Sequence, residues 1–223
     1  MSKIKSSLKA ILTEVQHQKY NRELSSQKVD YDSWIRGQEA PLLLHGYNSD
    51  KEDKCLKIEM KKKSYETALE ENDGKISKNE ILCSQYELKG QKGKLELLEV
   101  EIEELEKLLP QTDKIEEKVI LLLINKGTWN EIAFPLIYDA FLEEEERCIV
   151  YGDEDILVGE KREQPWLKPD WSPDTFLSGF YFGSMVCIST DKLKKLLVGK
   201  NYSQKVALYE VIADLIKENG GFD

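Results

Sequence analysis

The stretch Ile149–Ser184 reads IVYGDEDILVGEKREQPWLKPDWSPDTFLSGFYFGS. It begins within a short apolar run, Cys148-Ile149-Val150-Tyr151, of the kind that forms a buried strand. The strand ends on three acids, Asp153, Glu154 and Asp155. Three prolines and two tryptophans then fall between Pro165 and Pro173, and the chain turns aromatic at Phe176, Phe180, Tyr181 and Phe182. Proline fixes the backbone of a loop before folding, and a stiff loop carried on a strand is a common place for a site. Acids at a strand end beside such a loop suit a ligand with hydroxyls, or a phosphate held through a metal.

Outward from this stretch, composition bounds the answer. A chain of 223 residues can bury a sizeable core within one α/β domain. Charged residues make up 33% and the net charge is −10, which argues against a general nucleic-acid binder, because phosphate contacts need clustered Lys and Arg. The four cysteines, Cys55, Cys83, Cys148 and Cys187, are widely spaced, and the histidines are His17 and His45. That pattern predicts reduced, buried thiols rather than zinc ligands, and a cytoplasmic setting. No apolar run approaches the ~20 residues of a membrane span.

The strongest strand signal is Val119–Ile124, VILLLI, a continuous run suited to a central strand covered on both faces. Met185–Ile188 reads as a further strand. Phe134–Phe141 reads as a helix with Glu143–Glu146 as its acidic end. Asp191–Val198 reads as a short helix stopped by Gly199, and a last helix runs from Gln204, capped by Ser203, to about Asn219. Leu95, Leu98, Ile102, Leu105 and Leu109 recur at spacings of three and four, which predicts an amphipathic helix ended by Pro110. Glutamates, Ala68 and Leu69 favour helix just ahead of the Asn72-Asp73-Gly74 turn, and Lys61–Lys63 reads as a solvated helix face. At the start, Ile4, Leu8, Ile11 and Val15 predict an amphipathic helix, made basic by Lys3, Lys5 and Lys9. Such a helix packs on its domain or leans on anionic lipid.

The run YGDED, then PWLKPDWSPD, then YFGS resembles the middle of bacterial family 2 glycosyltransferases with the GT-A fold, in the polysaccharide and O-antigen branch. Tyr31-x-x-Trp34-Ile35-Arg36, followed by Glu39, resembles a segment that precedes the catalytic domain in that family. The resemblance implies an α/β fold with a mainly parallel central sheet flanked by helices. It also implies a helical segment over 1–40 and a GT-A-like domain over 41–223, reduced at its C-terminal end. The function implied is inverting transfer from a nucleotide-sugar donor to a glycan or lipid-linked glycan acceptor in surface polysaccharide synthesis. The setting implied is the cytoplasm, at the inner face of the membrane, with peripheral association.

Several site residues follow from the resemblance. Tyr47 and Asn48, beyond the leucines of Pro41–Asn48, fall where the family's first strand meets the nucleotide base. Asp73 falls at a second nucleotide contact. Asp153, Glu154 and Asp155 would meet the donor sugar, with Asp153 and Asp155 as ligands of Mg²⁺ or Mn²⁺. Trp171 and Asp174 would shape the sugar pocket. Glu210, in Tyr209-Glu210, would be the general base that an inverting transfer needs at the acceptor hydroxyl. One departure cuts the other way. Where the family carries Asp-x-Asp after its central strand, this chain has Asn125-Lys126-Gly127-Thr128. Losing two carboxylates removes hard oxygen ligands from a divalent site. A catalytically inactive relative, kept as an accessory or carbohydrate-binding module, is therefore the alternative.

Overall fold

A computed structural model describes residues 31, 33–37, 39, 56–66, 70–72, 75–77, 80–125, 127–130, 132–144, 146–198 and 208–219. The chain divides into two compact units, Met1–Pro41 and Leu42–Asp223. In the first, residues 31, 33–37 and 39 are helical. Tyr31 and Trp34, nearly one turn apart, stack with ring centroids at 5.8 Å. The basic segment around Ile4–Val15 and the Pro41–Asn48 strand lie outside the described residues, as do Tyr47, Asn48 and Asp73.

The second unit is mixed α/β. Its strands are β1 (Lys57–Glu66), β2 (Glu70–Asn72), β3 (Lys75–Ser77), β4 (Glu80–Gly90), β5 (Gly93–Glu101), β6 (Val119–Leu123), β7 (Ile149–Tyr151), β8 (Glu154–Val158), β9 (Lys161–Trp166) and β10 (Met185–Ser189). Its helices are α1 (Leu105–Leu108), set between two 3₁₀ segments, α2 (Ala133–Glu143), α3 (Pro173–Ser178), α4 (Thr190–Leu197) and α5 (Leu208–Glu218). Six strands form the main sheet in the order β1-β4-β5-β6-β10-β7, while β2-β3 and β8-β9 are separate hairpins.

The expected mainly parallel sheet is corrected by this topology. Among the described residues only β5 and β6 pair in parallel; β1-β4, β4-β5, β6-β10 and β10-β7 are antiparallel. The cause is local. Gly90 pairs with Gly93 across a two-residue turn, and Gly93 holds φ at +133°, so β4 folds straight back into β5. The β5-to-β6 connection is the one that crosses over, through α1 and its flanking 3₁₀ turns.

That same crossover corrects the helix predicted over 95–109. Leu95 and Leu97 enter one core while Leu98 and Val100 enter the other, and all four are buried. A strand covered on both faces shows no alternation, so its leucines imitate helical spacing. Helical structure begins only at Ile102, and Pro110 sits early in the 3₁₀ turn Leu109–Lys114 rather than stopping a helix. Likewise Lys61–Lys63 lies in β1, not on a helix, and Glu70–Asn72 is a strand. Strand alternation sends Lys62 to Ser84 and Lys63 to Glu117.

Val119–Leu122 are buried, as a central strand requires. On one face α2 packs Phe134, Ile137, Tyr138 and Phe141 against Leu88, Leu97 and Leu121. On the other, α1, α4 and α5 pack Leu105, Leu193, Leu196, Val211, Ile212 and Leu215 against Leu98, Ile120, Leu122 and Ile188. Each fully buried aliphatic or phenyl group contributes about 1.5–3 kcal/mol. Among the described residues no helix is long and apolar enough to cross a membrane.

Candidate functional site

Strand directions decide where polar groups meet. β10 runs antiparallel to both β6 and β7, so β5, β6 and β7 point the same way. Their carboxyl ends, at Glu101, Asn125 and Asp153, therefore reach one edge of the sheet.

Ser184, just before β10, ties these ends together. Its carbonyl accepts from Ile124 N at 2.8 Å, and its hydroxyl accepts from Asn125 Nδ2 at 3.3 Å. Its own N–H donates to Glu154 Oε2 at 2.8 Å. The tip of β6 and the start of β8 thus meet through one residue. β8 begins at Glu154 and its pairing with β9 shifts register between Glu154 and Ile156, and the three acids find different partners. Asp153 Oδ1 accepts from the backbone N–H of Lys168 at 2.7 Å. Asp155 Oδ2 accepts from Arg162 Nε at 2.6 Å, across the β8-β9 hairpin.

Lys168 is the group that sequence reasoning missed. Its side chain is only 2% exposed. The ammonium donates to the Gly152 carbonyl, lies 3.4 Å from Glu154 Oε2, and sits 5.2 Å from the centre of the Trp166 ring. Burial pushes its pKa below the ordinary lysine value, and the carboxylates of Glu154 and Asp153 oppose that shift. Gly183 makes the arrangement sterically feasible. Its φ is +84°, and a Cβ there would come within 2.3 Å of Lys168 Nζ and 2.6 Å of Glu154 Oε2. The signal in the sequence was a lysine set among prolines and tryptophans, with a Gly-Ser pair downstream.

The Trp/Pro segment is fastened to the strand that precedes it. Tyr151 Oη donates to the Pro169 carbonyl at 2.9 Å and lies 3.3 Å from Tyr181 Oη, which accepts from Ser172 N at 3.1 Å. The Tyr151 ring stacks on Phe182 at 4.3 Å. Ser172 caps α3, taking the N–H of Thr175. Trp171 packs 5.5 Å from the Phe176 ring and keeps 37% of its surface exposed. Asp174 is exposed in the first turn of α3. Phe176 is fully buried, and Tyr209 of α5 stacks on it at 4.8 Å. Glu210 is the next residue and faces solvent.

A cleft of about 140 Å³ opens at the β6 tip, lined by Glu101, Glu103, Leu123, Ile124, Asn125 and Gly127. Pockets for drug-sized ligands run to about 300–1,000 Å³, so this cleft is small by comparison. Asp153, Asp155, Trp171, Asp174 and Glu210 do not line it. The residues present do not fit a divalent ion held by Asp153 and Asp155. One carboxylate takes a backbone N–H and the other a guanidinium, and a lysine ammonium fills the space beside Glu154. Among the described residues no group of three or more His, Cys, Asp or Glu is placed to hold a metal. Among the described residues, burial pushes the thiols of Cys83 and Cys148 up to about 11, away from the thiolate form.

No protein-family model, no curated protein and no solved structure matches the chain.

Proposed function

We propose that the chain is a sugar-binding protein related to family 2 glycosyltransferases, one that holds a glycan or nucleotide sugar without metal-dependent transfer. The observation that carries this reading is the meeting of Asn125, Ser184 and Glu154 at one sheet edge, with the exposed Trp166 of β9 paired opposite Glu154. Carboxylate, amide and hydroxyl groups near an aromatic face suit the alternating hydroxyls and C–H faces of a sugar. Against metal-dependent transfer stand the neutral Asn125 at the β6 tip and the internal partners of Asp153 and Asp155.

The second reading is an active transferase working on a nucleotide-sugar donor and a glycan acceptor. What favours it is Glu210, exposed on the helix whose Tyr209 stacks on Phe176 of α3. A base there could take a proton from an acceptor hydroxyl. Calorimetric titration with UDP- and dTDP-sugars and with neutral oligosaccharides, with and without Mn²⁺, tests both readings. Sugar binding without turnover supports the first. Release of nucleoside diphosphate that depends on Glu210 supports the second. Absence of binding by every sugar rejects both.

A further inference from the structure

The hairpin β8-β9 presents three apolar side chains in a row. Ile156, Leu157 and Val158 are 51%, 58% and 54% exposed. Strand residues alternate between faces, so β8 shows apolar surface on both. Single apolar residues on a surface are ordinary, but a run of three is not, and a hairpin of two strands is only marginally stable by itself. Among the described residues β8 pairs with β9 alone, and the hairpin is separate from the main sheet.

The two outer edges of the hairpin differ. β9 is poorly made for further pairing, since Pro165 has no N–H to give and Gln164 holds φ at +52°. From Ile156 to Val158, β8 has no proline, no lysine and no register shift, and such an edge is open to another strand.

The strand's own sequence says what fits there. Two β8 edges related by a two-fold axis through the sheet run antiparallel. With the axis at Leu157, Leu157 meets its counterpart, and Ile156 meets Val158 of the second copy. Every apolar residue then faces an apolar residue. Moving the axis to Ile156 sets Leu157 against Asp155 and Val158 against Glu154; moving it to Val158 sets Ile156 against Glu160. Parallel pairing would bring the acidic starts of the two strands side by side. The antiparallel arrangement parts them, and lays each against a turn that carries Lys161 beside Glu160.

We propose that this edge is where a second copy of the chain pairs, β8 to β8 and antiparallel about Leu157, so that two hairpins become one four-stranded sheet. The pairing stands independently of the sugar-binding reading. A lasting interface takes about 20–30 residues a side, and one strand edge offers far fewer, so the contact is weak and reversible. Two chains of net charge −10 repel each other, so salt tightens it.

Sedimentation equilibrium of the full chain, its cysteines kept reduced, tests this from about 10 µM to about 1 mM. A monomer–dimer equilibrium is expected in that range. Leu157→Lys sets like charges against each other at the axis and should weaken the dimer about tenfold or more, with the monomer's circular dichroism unchanged. Disulfide trapping in a glutathione buffer reads the register without that variant. Opposed residues of antiparallel strands lie about 4.5–5.5 Å apart at Cα, within disulfide reach. Leu157→Cys should link to itself, and Ile156→Cys should link to Val158→Cys faster than to itself, the joined peptides being identified by mass spectrometry. A chain that stays monomeric to about 1 mM overturns the proposal. So does a dimer that Leu157→Lys leaves intact or that loosens as salt is added, and so does trapping at these positions no faster than at the native thiols. Slow amide exchange at Ile156–Val158 in a monomer overturns it too, because another part of the same chain then covers the edge.

Discussion

Lys63 Nζ lies 2.8 Å from Glu117 Oε1, and the Glu117 side chain has no solvent exposure. Tyr65 Oη donates to the other oxygen at 3.0 Å. This ties the outer strand β1 to the residue two places ahead of β6, at the end of the sheet away from the cleft. Burial pushes the Glu117 carboxyl up, but the hydrogen bonds from Lys63, its own backbone and Tyr65 bring it below the ordinary value.

Removing one partner leaves a buried charge unpaired. Lys63→Met should therefore destabilise the second unit by ~3–5 kcal/mol, read as a lower urea midpoint. The sign of the pH dependence follows from the depressed carboxyl. Its stabilisation is present above the unfolded value of about 4.3 and is lost as pH falls through the folded value. Stability of the wild type should decline below about pH 4, and Glu117→Gln should decline less steeply over the same range.

Gly183→Ala places a methyl group against Lys168 Nζ and Glu154 Oε2 at a backbone φ of +84°. Strain at such a position costs about 1–3 kcal/mol. The expected outcome is a lower melting temperature together with displaced Glu154 resonances, both measurable on the same sample.

Tyr151→Phe removes the phenol that holds Pro169 and contacts Tyr181. A net loss of about 1 kcal/mol is expected, and it should be felt locally. Limited proteolysis should cut between Pro165 and Pro173 faster than in wild type, with cleavage elsewhere unchanged.

Burial holds the Cys83 thiol up at about 11 and raises Cys187 further. Both should resist a thiol reagent at about pH 8, where a free cysteine reacts readily. Mass spectrometry should find them labelled only after unfolding.

Millimolar Mn²⁺ should leave the melting temperature unchanged, because Asp153 and Asp155 already hold protein donors. A ligand at a hundred times its Kd would add about 2.7 kcal/mol, which for a chain of this size is a rise of several degrees. A rise of that kind would restore the divalent site.

Much of the fold was legible where local pattern and tertiary environment agree. Val119–Leu123, Ile149–Tyr151 and Met185–Ser189 are strands, and α2 and α4 stand where their apolar spacing puts them. It was illegible where a buried strand borrows helical spacing. Leu95, Leu97, Leu98 and Val100 serve two cores at once, and one sequence line cannot show that both sides of a strand are covered. The lysine-rich β1 was misread because its partners, Ser84 and Glu117, are 22 and 54 residues distant.

The sequence by itself determined the α/β class and the apolar strands, since these depend on backbone preference and on neighbours along the chain; it did not show that Glu154 and Asp155 open a new strand, or that Pro165 and Trp166 end the strand paired with it. Only the tertiary structure decided that Glu154, rather than Asp153 or Asp155, meets Ser184, and that the Lys168 side chain is buried next to it. The reason is geometric. β8 opens only at Glu154 and shifts register before Ile156, and the Glu154 carboxylate is fixed by the N–H of a serine 30 residues further on.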